Sequence, residues 1–126
     1  MSAYREAIVE HYKNPMNHHK MENADAEYED LNPVCGDKVH VWIKVNEDDT
    51  IEDISFLGEG CAISQAATSM LTDELPGMTL TEVDALNQEE IKELLGVPLS
   101  PVRLKCALLG VKVIQGAVLK YKAEKN

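Results

Sequence analysis

The chain has 126 residues, of which 44% are hydrophobic and 27% charged, a composition typical of one globular domain. Its 22 acidic and 12 basic side chains give a net charge of −10, which argues against nucleic-acid binding because a phosphate backbone would be repelled. Apolar runs are too short to span a membrane, and the first residues lack the apolar core of a secretory signal. We therefore expect a single cytoplasmic domain over residues 1–126, either a monomer or a homodimer.

The first predicted element is a short helix from Ala3 to Tyr12. Its apolar and aromatic side chains recur at the spacing of one helical face, and Asn14-Pro15 marks its end. The following residues, 16–31, are polar and include an acidic run. We predict that this segment has no regular secondary structure.

A β-hairpin is predicted next. From Lys38 to Val45 apolar and polar residues alternate strictly, which is the pattern of a half-buried strand. Residues 46–49 form a polar turn, and the stretch from Ile51 to Leu57 is predicted to be the return strand. Because the connection is short, the two strands should pair antiparallel, and Gly58-Glu59-Gly60 should end the second one.

Four helices complete the predicted fold. They cover Cys61 to Leu75, residues 80–86, residues 88–95, and Pro101 to about Lys122, followed by a polar tail that should fray. Capping patterns mark the starts of the two short helices. The sequence does not decide whether the last helix is interrupted near Lys105. Packed on the apolar face of the hairpin, the helices give an α+β domain with a small antiparallel sheet, an N-terminal helix and a long C-terminal helix.

The cysteines carry the chemical signal. Their odd number, three, in a cytoplasmic chain argues against a disulfide framework. Cys35 and Asp37 lie two residues apart, just before the first strand, on a turn that Pro33 and Gly36 favour. Cys61 follows the second strand at a helix N-terminus, where the helix dipole favours an anionic thiolate. In an antiparallel hairpin these two strand ends are neighbours, so we expect Cys35 and Cys61 to lie close together.

Cys106, near the start of the last helix, can reach the same end of the hairpin. Together with Cys35, Asp37 and Cys61 it forms a set of three thiols and one carboxylate. Such a set suits tetrahedral Zn²⁺ or the four protein positions of a [2Fe–2S] cluster. Taken by itself, the first turn has a plainer interpretation, in which Cys35 is a small buried residue and Asp37 a turn former.

The stretches around the three cysteines resemble one known family. NPVCGD, GEGCAIS and PVRLKCALL look like the cysteine motifs of the IscU/SufU proteins, also called NifU N-terminal-like, and YREAIVEHYKNPMN looks like that family's first helix. The resemblance implies a SufE/NifU-like fold with Cys35, Asp37, Cys61 and Cys106 as ligands. It also implies a scaffold, rather than an enzyme, on which [2Fe–2S] clusters are assembled from iron and sulfur. The implied partners are a cysteine desulfurase, apo acceptor proteins and an electron donor such as ferredoxin.

Two departures from the scaffold pattern concern the region of the last cysteine. In IscU proteins the residue before it is a histidine, whereas here it is Lys105, as in the SufU type, which makes Lys105 an accessory candidate at the site. The LPPVK stretch that a dedicated chaperone reads in the scaffolds is Leu99-Ser100-Pro101-Val102-Arg103 here. The separation of 45 residues between Cys61 and Cys106 is short, as in IscU.

These features leave a second function open. The alternative is a zinc-dependent sulfur acceptor of the SufU type, in which Zn²⁺ holds the thiols and Cys35 or Cys106 takes sulfur from the desulfurase. A third interpretation, from another class, is a structural zinc domain in an interaction protein, which would need closed and permanent coordination.

Overall fold

The computed structural model describes residues 3–33 and 36–125. Along these residues the elements are α1 Ala3–Lys13, β1 Ala26–Asn32, β2 Asp37–Val45, β3 Ile51–Glu59, α2 Ala62–Glu74, α3 Leu80–Asp84, α4 Gln88–Leu95 and α5 Pro101–Lys125. In this part of the chain no helix combines the length and the apolar character needed to cross a membrane.

The three strands form one antiparallel sheet in the order β1-β2-β3. Helices cover its apolar face, with α5 against β1 and β2, and α2 against β3. Because successive side chains of a strand point to opposite faces, the alternating apolar residues of the hairpin, such as Val39, Ile43 and Ile54, are fully buried under these helices. The predicted hairpin and the α+β fold class are confirmed.

The prediction of irregular structure for residues 16–31 is wrong in its second half, which contains β1. The acidic run hides this strand, because its glutamates lie on the polar face of the sheet. Glu29, for example, lies opposite His40 of β2, with 3.0 Å between its Oε2 and His40 Nδ1. On the other face Tyr28 lies so close to Gly116 of α5 that a Cβ added to the glycine would be 2.7 Å from the ring. Pairing and packing override the weak local strand propensity.

The second strand of the hairpin is longer than predicted. Gly58 and Glu59 continue the ladder, where they pair with Val39 and Lys38 of β2. Only Gly60 separates the end of β3 from the residue that caps α2. The extended ladder therefore carries β3 to within one residue of Cys61, the N-cap of α2.

Helix α5 is continuous over its whole length, without the break near Lys105 that the sequence left open. The predicted polar tail is helical as far as Lys125, whose ammonium forms an ion pair of 3.1 Å with Asp49 in the β2–β3 turn. The ammonium of Lys125 also lies 5.6 Å from the centre of the Tyr121 ring. These contacts tie the end of the helix to the turn of the hairpin.

Helix α2 is the central helix and buries polar as well as apolar residues. Its buried polar residues are Ser64, Gln65, Thr68, Ser69 and Thr72. The hydroxyls of Thr68 and Thr72 donate to carbonyl oxygens of the preceding turn at 2.8 and 2.7 Å. The hydroxyl oxygen of Ser69 accepts the backbone N–H of Met16 at 2.7 Å. These bonds satisfy buried hydroxyls and attach the segment after α1 to α2.

The short helix α3 begins with the predicted capping box. The Thr79 hydroxyl oxygen accepts the Glu82 N–H at 3.1 Å, and the Glu82 carboxylate accepts the Thr79 N–H at 3.0 Å. Hydrogen bonding to the Glu82 carboxylate, from the Thr79 backbone N–H foremost and also from the Thr79 side chain, holds the pKa of this carboxyl below its ordinary value of 4.5. The helix ends at Asp84, two residues earlier than predicted.

Candidate metal centre

Asp37 is the first residue of β2 and is fully buried. It pairs with Asn32, the last residue of β1, so the predicted turn connects two strands of the sheet. Gly36 has a φ of +71°, a conformation that glycine adopts readily, and its N–H donates to the Asn32 carbonyl at 2.8 Å. Cys35, which the sequence assigns to this turn, lies outside the described residues.

Cys61 is the N-cap residue of α2, in an extended conformation with φ −72° and ψ 156°. Its backbone N–H donates to Asp37 Oδ1 at 2.7 Å, and its Sγ lies 3.7 Å from Asp37 Oδ2. The same sulfur accepts the Ser64 N–H at 3.5 Å. Cys61 is thus linked to Asp37 by its backbone, and its sulfur lies where the dipole of α2 stabilises negative charge.

Gly60 allows the close approach of Asp37 to Cys61. It has a φ of +132°, which side-chain-bearing residues rarely adopt, and an added Cβ would lie 2.3 Å from Asp37 Oδ1. A larger residue at this position would therefore displace the carboxylate. The sequence shows Gly60 only as a strand breaker, and nothing in the pattern reveals this contact.

Cys106 lies in the second turn of α5 and is fully buried. The structure brings it to the same end of the hairpin as Asp37 and Cys61. One ligand atom from each of these three residues lies within 4.8 Å of the others. This spacing is close enough for a single ion to contact all three after small side-chain adjustments, since Zn–S and Zn–O bonds are about 2.3 and 2.1 Å long.

Gln65 is a residue of the site that the sequence analysis missed. Its buried amide Nε2 lies 3.1 Å from the Glu59 carbonyl and 3.5 Å from the Lys38 carbonyl. Glu59 and Lys38 pair at the last rung of the β2–β3 ladder, next to Asp37. The side chain therefore ties α2 to both strands that lead into the site. The sequence feature that could have indicated this role is the position of an amide side chain on the buried face of α2, one helical turn after Cys61.

Lys105, the accessory candidate, is exposed on α5. It lines a shallow groove with Asn32, Pro33 and Lys112, on the side of the helix where β1 ends. The neighbouring Cys106 is buried, whereas Lys105 lies on the surface. This position leaves Lys105 near the turn that precedes Asp37.

The chemistry of the donor set fits a metal. Two thiols and a carboxylate are ligands that Zn²⁺ and iron–sulfur clusters accept, and the carboxylate is the harder of the two ligand types. The backbone N–H groups at the start of α2 add positive potential, which favours the deprotonated thiol that a metal requires. The fold and these residues define a small α+β protein with a thiolate–carboxylate candidate metal centre at one end of its sheet.

Comparisons with known proteins place this chain in a family. The profile of the NifU-like N terminal domain matches residues 3–126. The chain is 36% identical over 130 residues to the iron–sulfur cluster assembly scaffold protein IscU of Azotobacter vinelandii, covering 98% of each chain. It is 34% identical over 134 residues to the zinc-dependent sulfurtransferase SufU of Bacillus subtilis, covering 93% of this chain and 90% of that protein. The chain therefore belongs to the NifU N-terminal-like family of IscU and SufU proteins, as the resemblance of its motifs implied.

A solved structure supports the same assignment. The crystal structure of a putative iron–sulfur cluster assembly scaffold protein for the SUF system from Fervidobacterium islandicum AW-1 superposes with a TM-score of 0.79 at 30% identity, covering 94% of this chain and 96% of that one. The three-stranded sheet and its helices are therefore the fold of this family.

Proposed function

We propose that this protein is a scaffold on which [2Fe–2S] clusters are assembled from iron and desulfurase-derived sulfur and then passed to acceptor proteins. The observation that carries the proposal is the convergence of Asp37, Cys61 and Cys106, with ligand atoms within 4.8 Å, at one end of the hairpin. Relatives that match nearly the full length of the chain are named as cluster assembly scaffolds. We propose Cys35, on the turn before Asp37, as the remaining thiol ligand.

The chemistry of assembly assigns a role to each proposed partner. A thiolate of this protein attacks the terminal sulfur of the desulfurase persulfide; a new S–S bond forms, the old one breaks, and the desulfurase cysteine leaves as a thiolate. Two sulfur atoms at the sulfane level take up four electrons to become sulfide. Two ferrous ions supply two of these electrons, and a donor such as ferredoxin supplies the other two. The cluster is cargo in this scheme, so the protein acts as a carrier rather than as an enzyme.

Asp37 has a distinct role in this proposal. A carboxylate oxygen is a harder and weaker ligand for iron in a sulfide cluster than a thiolate is. Release of the cluster can therefore begin at Asp37, while Cys61 and Cys106 still hold it. The hydrogen bond of 2.7 Å from the Cys61 N–H to Asp37 keeps the carboxylate at the site when it is not a ligand.

A second candidate is a zinc-dependent sulfur acceptor for a cysteine desulfurase. The observation that favours it is Lys105, which replaces the histidine of the scaffolds, together with 34% identity to a protein named as a zinc-dependent sulfurtransferase. Two thiolates and a carboxylate also fit a zinc site with one further ligand. In this case Cys35 or Cys106 would receive the sulfur.

Anaerobic reconstitution separates the two candidates. The purified protein is incubated with ferrous iron, a cysteine desulfurase, cysteine and a reductant, and is then desalted. A scaffold should retain roughly two irons and two sulfides per cluster and show charge-transfer absorption in the visible range. Cys61→Ser should lose most of this absorption, whereas Glu59→Gln, an exposed carboxylate next to the site, should keep it. A protein that binds one zinc tightly and never retains sulfide-bridged iron would support the sulfur acceptor.

A further inference from the structure

Two buried side chains in the first turn of α2, Ser64 and Gln65, form a hydrogen-bond network beside Cys61. The Gln65 Nε2 donates to the Glu59 carbonyl at 3.1 Å and to the Ser64 Oγ at 3.0 Å. The Ser64 hydroxyl donates in turn to the Cys61 carbonyl at 3.2 Å. We call these three hydrogen bonds the Gln65 bridge, because they connect the start of α2 to Glu59, the last residue of β3.

The donors and acceptors of the Gln65 bridge are matched. An amide nitrogen carries two hydrogens, and the two short contacts use both, whereas the Lys38 carbonyl is farther away at 3.5 Å. A backbone carbonyl can only accept, so the Gln65 amide must present its nitrogen to Glu59. The Ser64 hydroxyl donates its one hydrogen to Cys61 and accepts from Gln65. An apolar side chain at position 65 would therefore leave the buried Ser64 hydroxyl and the Glu59 carbonyl without this donor.

The other atom of the amide, Oε1, fits against Gly58 of β3. A Cβ added to Gly58 would lie 2.6 Å from Gln65 Oε1 and 2.6 Å from the Lys38 carbonyl. The space beside this strand residue is thus occupied by the amide and by backbone. The packing against Gly58 and the hydrogen bonds of Nε2 are separate observations, and both hold the amide at one place on the β2–β3 ladder.

The Gln65 bridge spans a glycine at which α2 could turn relative to the sheet. Gly60 lies between Glu59, where β3 ends, and Cys61, the N-cap of α2. Glycine has the largest freedom of backbone rotation, and the φ of Gly60 is +132°. Gln65 bypasses this residue, because it joins the first turn of α2 directly to the Glu59 carbonyl. Rotation about Gly60 would therefore break the bridge.

Such a rotation would also separate Cys61 from Asp37. Cys61 moves with α2, whereas Asp37 is part of β2, which pairs with β3 as far as Lys38 and Glu59. The hydrogen bond of 2.7 Å from the Cys61 N–H to Asp37 Oδ1 crosses between these two parts. The distance between the Cys61 sulfur and the Asp37 carboxylate consequently depends on how the start of α2 is held against the sheet.

We propose that Gln65 is a positioning residue of the metal centre, whose amide holds the start of α2 against the β2–β3 ladder and so sets the distance between Cys61 and Asp37. Gln65 acts through Cys61 and is not itself a ligand. The inference rests on the proposed function in one respect, that Cys61 and Asp37 bind the same metal or cluster. Positioning requires neither sulfur nor a desulfurase, so its failure and the failure of cluster assembly are separate results.

The test compares Gln65→Met with Gln115→Met, because both remove an amide that donates to backbone carbonyls. Gln115 donates from Nε2 to the Val83 and Leu86 carbonyls, both at 3.1 Å, and lies about 13 Å along α5 from Cys106. Methionine is similar in length to glutamine but lacks its polar atoms. Both variants should lose stability in urea denaturation. Only Gln65→Met should bind zinc more weakly, by about tenfold or more in chelator competition, as is typical when a residue that orients a metal ligand is replaced.

A second readout needs no metal. A short hydrogen bond to a carboxylate shifts an amide proton downfield, so the NMR signal of the Cys61 N–H reports its bond to Asp37. In metal-free protein with isotope-labelled cysteine, this signal should move upfield in Gln65→Met, towards its position in Asp37→Ala. In Gln115→Met it should keep its wild-type position. Cys61→Ser assigns the signal by its absence.

Ser64→Ala interrupts the Gln65 bridge more mildly and provides a second variant in case Gln65→Met does not fold. It removes the hydrogen bond to the Cys61 carbonyl, and we expect severalfold weaker zinc binding. Ser69→Ala is the matched control, because it also removes a buried hydroxyl of α2, one that accepts the Met16 N–H away from the site. This variant should bind zinc with wild-type affinity.

Two results would overturn the proposal. The first is zinc affinity that is unchanged in Gln65→Met, or equally reduced in Gln65→Met and Gln115→Met, because the bridge would then contribute to stability alone. The second is a Cys61 amide signal that stays at its wild-type position in metal-free Gln65→Met, because Cys61 would then keep its bond to Asp37 without the amide. Where Gln65→Met is unfolded, equal zinc affinity of Ser64→Ala and Ser69→Ala leads to the same conclusion.

Discussion

The backbone N–H of Cys61 donates a hydrogen bond of 2.7 Å to Oδ1 of Asp37, across the open end of the hairpin. Two candidate ligands, one at the start of β2 and one at the N-cap of α2, are thus connected by the protein itself. The carboxylate is held by its Oδ1, and its Oδ2 lies 3.7 Å from the Cys61 sulfur. A substitution at Asp37 therefore removes a candidate ligand and also the acceptor of the N–H of the residue that caps α2.

Replacement of Asp37 by alanine should slow cluster transfer. The three proposed thiolates remain in Asp37→Ala, so a cluster should still form, but the weakest ligand from which release can begin is absent. We expect severalfold slower transfer to an apo-ferredoxin, followed by circular dichroism in the visible range. Glu59→Gln, which changes an exposed carboxylate at the same end of the sheet, is the control and should transfer at the wild-type rate. Equal or faster transfer by Asp37→Ala would remove Asp37 from the release step.

Gly60→Ala should weaken metal binding as well as stability. The added methyl would lie 2.3 Å from Asp37 Oδ1, at a φ of +132°, so we expect a loss of about 1–3 kcal/mol in the free energy of unfolding and roughly tenfold weaker zinc binding. Gly77→Ala provides the matched control, because its φ is +92° but nothing lies within 4 Å of the added Cβ. It should lose stability while zinc affinity, measured by chelator competition, stays unchanged. Equal zinc affinity in both variants would contradict the assigned contact.

The buried position of Cys106 predicts an order of thiol reactivity. In metal-free protein, iodoacetamide should alkylate the partly exposed Cys61 faster than the fully buried Cys106, as mass spectrometry would show.

If Cys106 is a sulfur acceptor, incubation with its desulfurase and cysteine should leave persulfide on Cys106 in the Cys61→Ser variant and none in Cys106→Ser. Persulfide that is confined to Cys35 would leave Cys106 as a ligand only.

The capping box of α3 predicts a pH-dependent contribution to stability. Hydrogen bonds from Thr79 lower the pKa of Glu82 in the folded protein below its ordinary value of 4.5. The charged carboxylate therefore stabilises the fold above this value, and its contribution is lost as the pH falls through the lowered pKa. Glu82→Gln, which keeps a side-chain acceptor for the box, should be less stable than wild type at pH 7, and urea denaturation should show the difference vanishing towards pH 3. A difference independent of pH would contradict the assignment.

Much of the fold was predictable because periodicity reports burial directly. The strict alternation of β2 and the helical spacing of α2 each follow from one buried face, which is a local property of the sequence. β1 was missed for the opposite reason: its glutamates face solvent, and its pairing with β2 and the contact of Tyr28 with Gly116 are tertiary.

The site was predictable where it follows from topology. An antiparallel hairpin places the start of its first strand beside the residues that follow its second strand, which is why Asp37 and Cys61 are neighbours in the structure. The roles of Gly60 and Gln65 could not be predicted in this way. Both depend on the position of one side chain relative to another element, and no spacing along the chain encodes that distance.

The acidic strand β1 is also an edge of the sheet, and this has a consequence for aggregation. A strand edge offers unpaired backbone groups to which another chain can add, and charged residues oppose such polymerisation. Glu27 and Glu29 give β1 that protection, so a second copy approaching edge to edge would meet like charge. At the opposite edge, the Phe56 N–H of β3 is bonded to the Asn17 carbonyl at 3.0 Å. Residues 16–31 thus act at both edges of the sheet: Glu27 and Glu29 charge one edge, and Asn17 bonds to the other. Both contacts oppose the addition of another chain to the sheet.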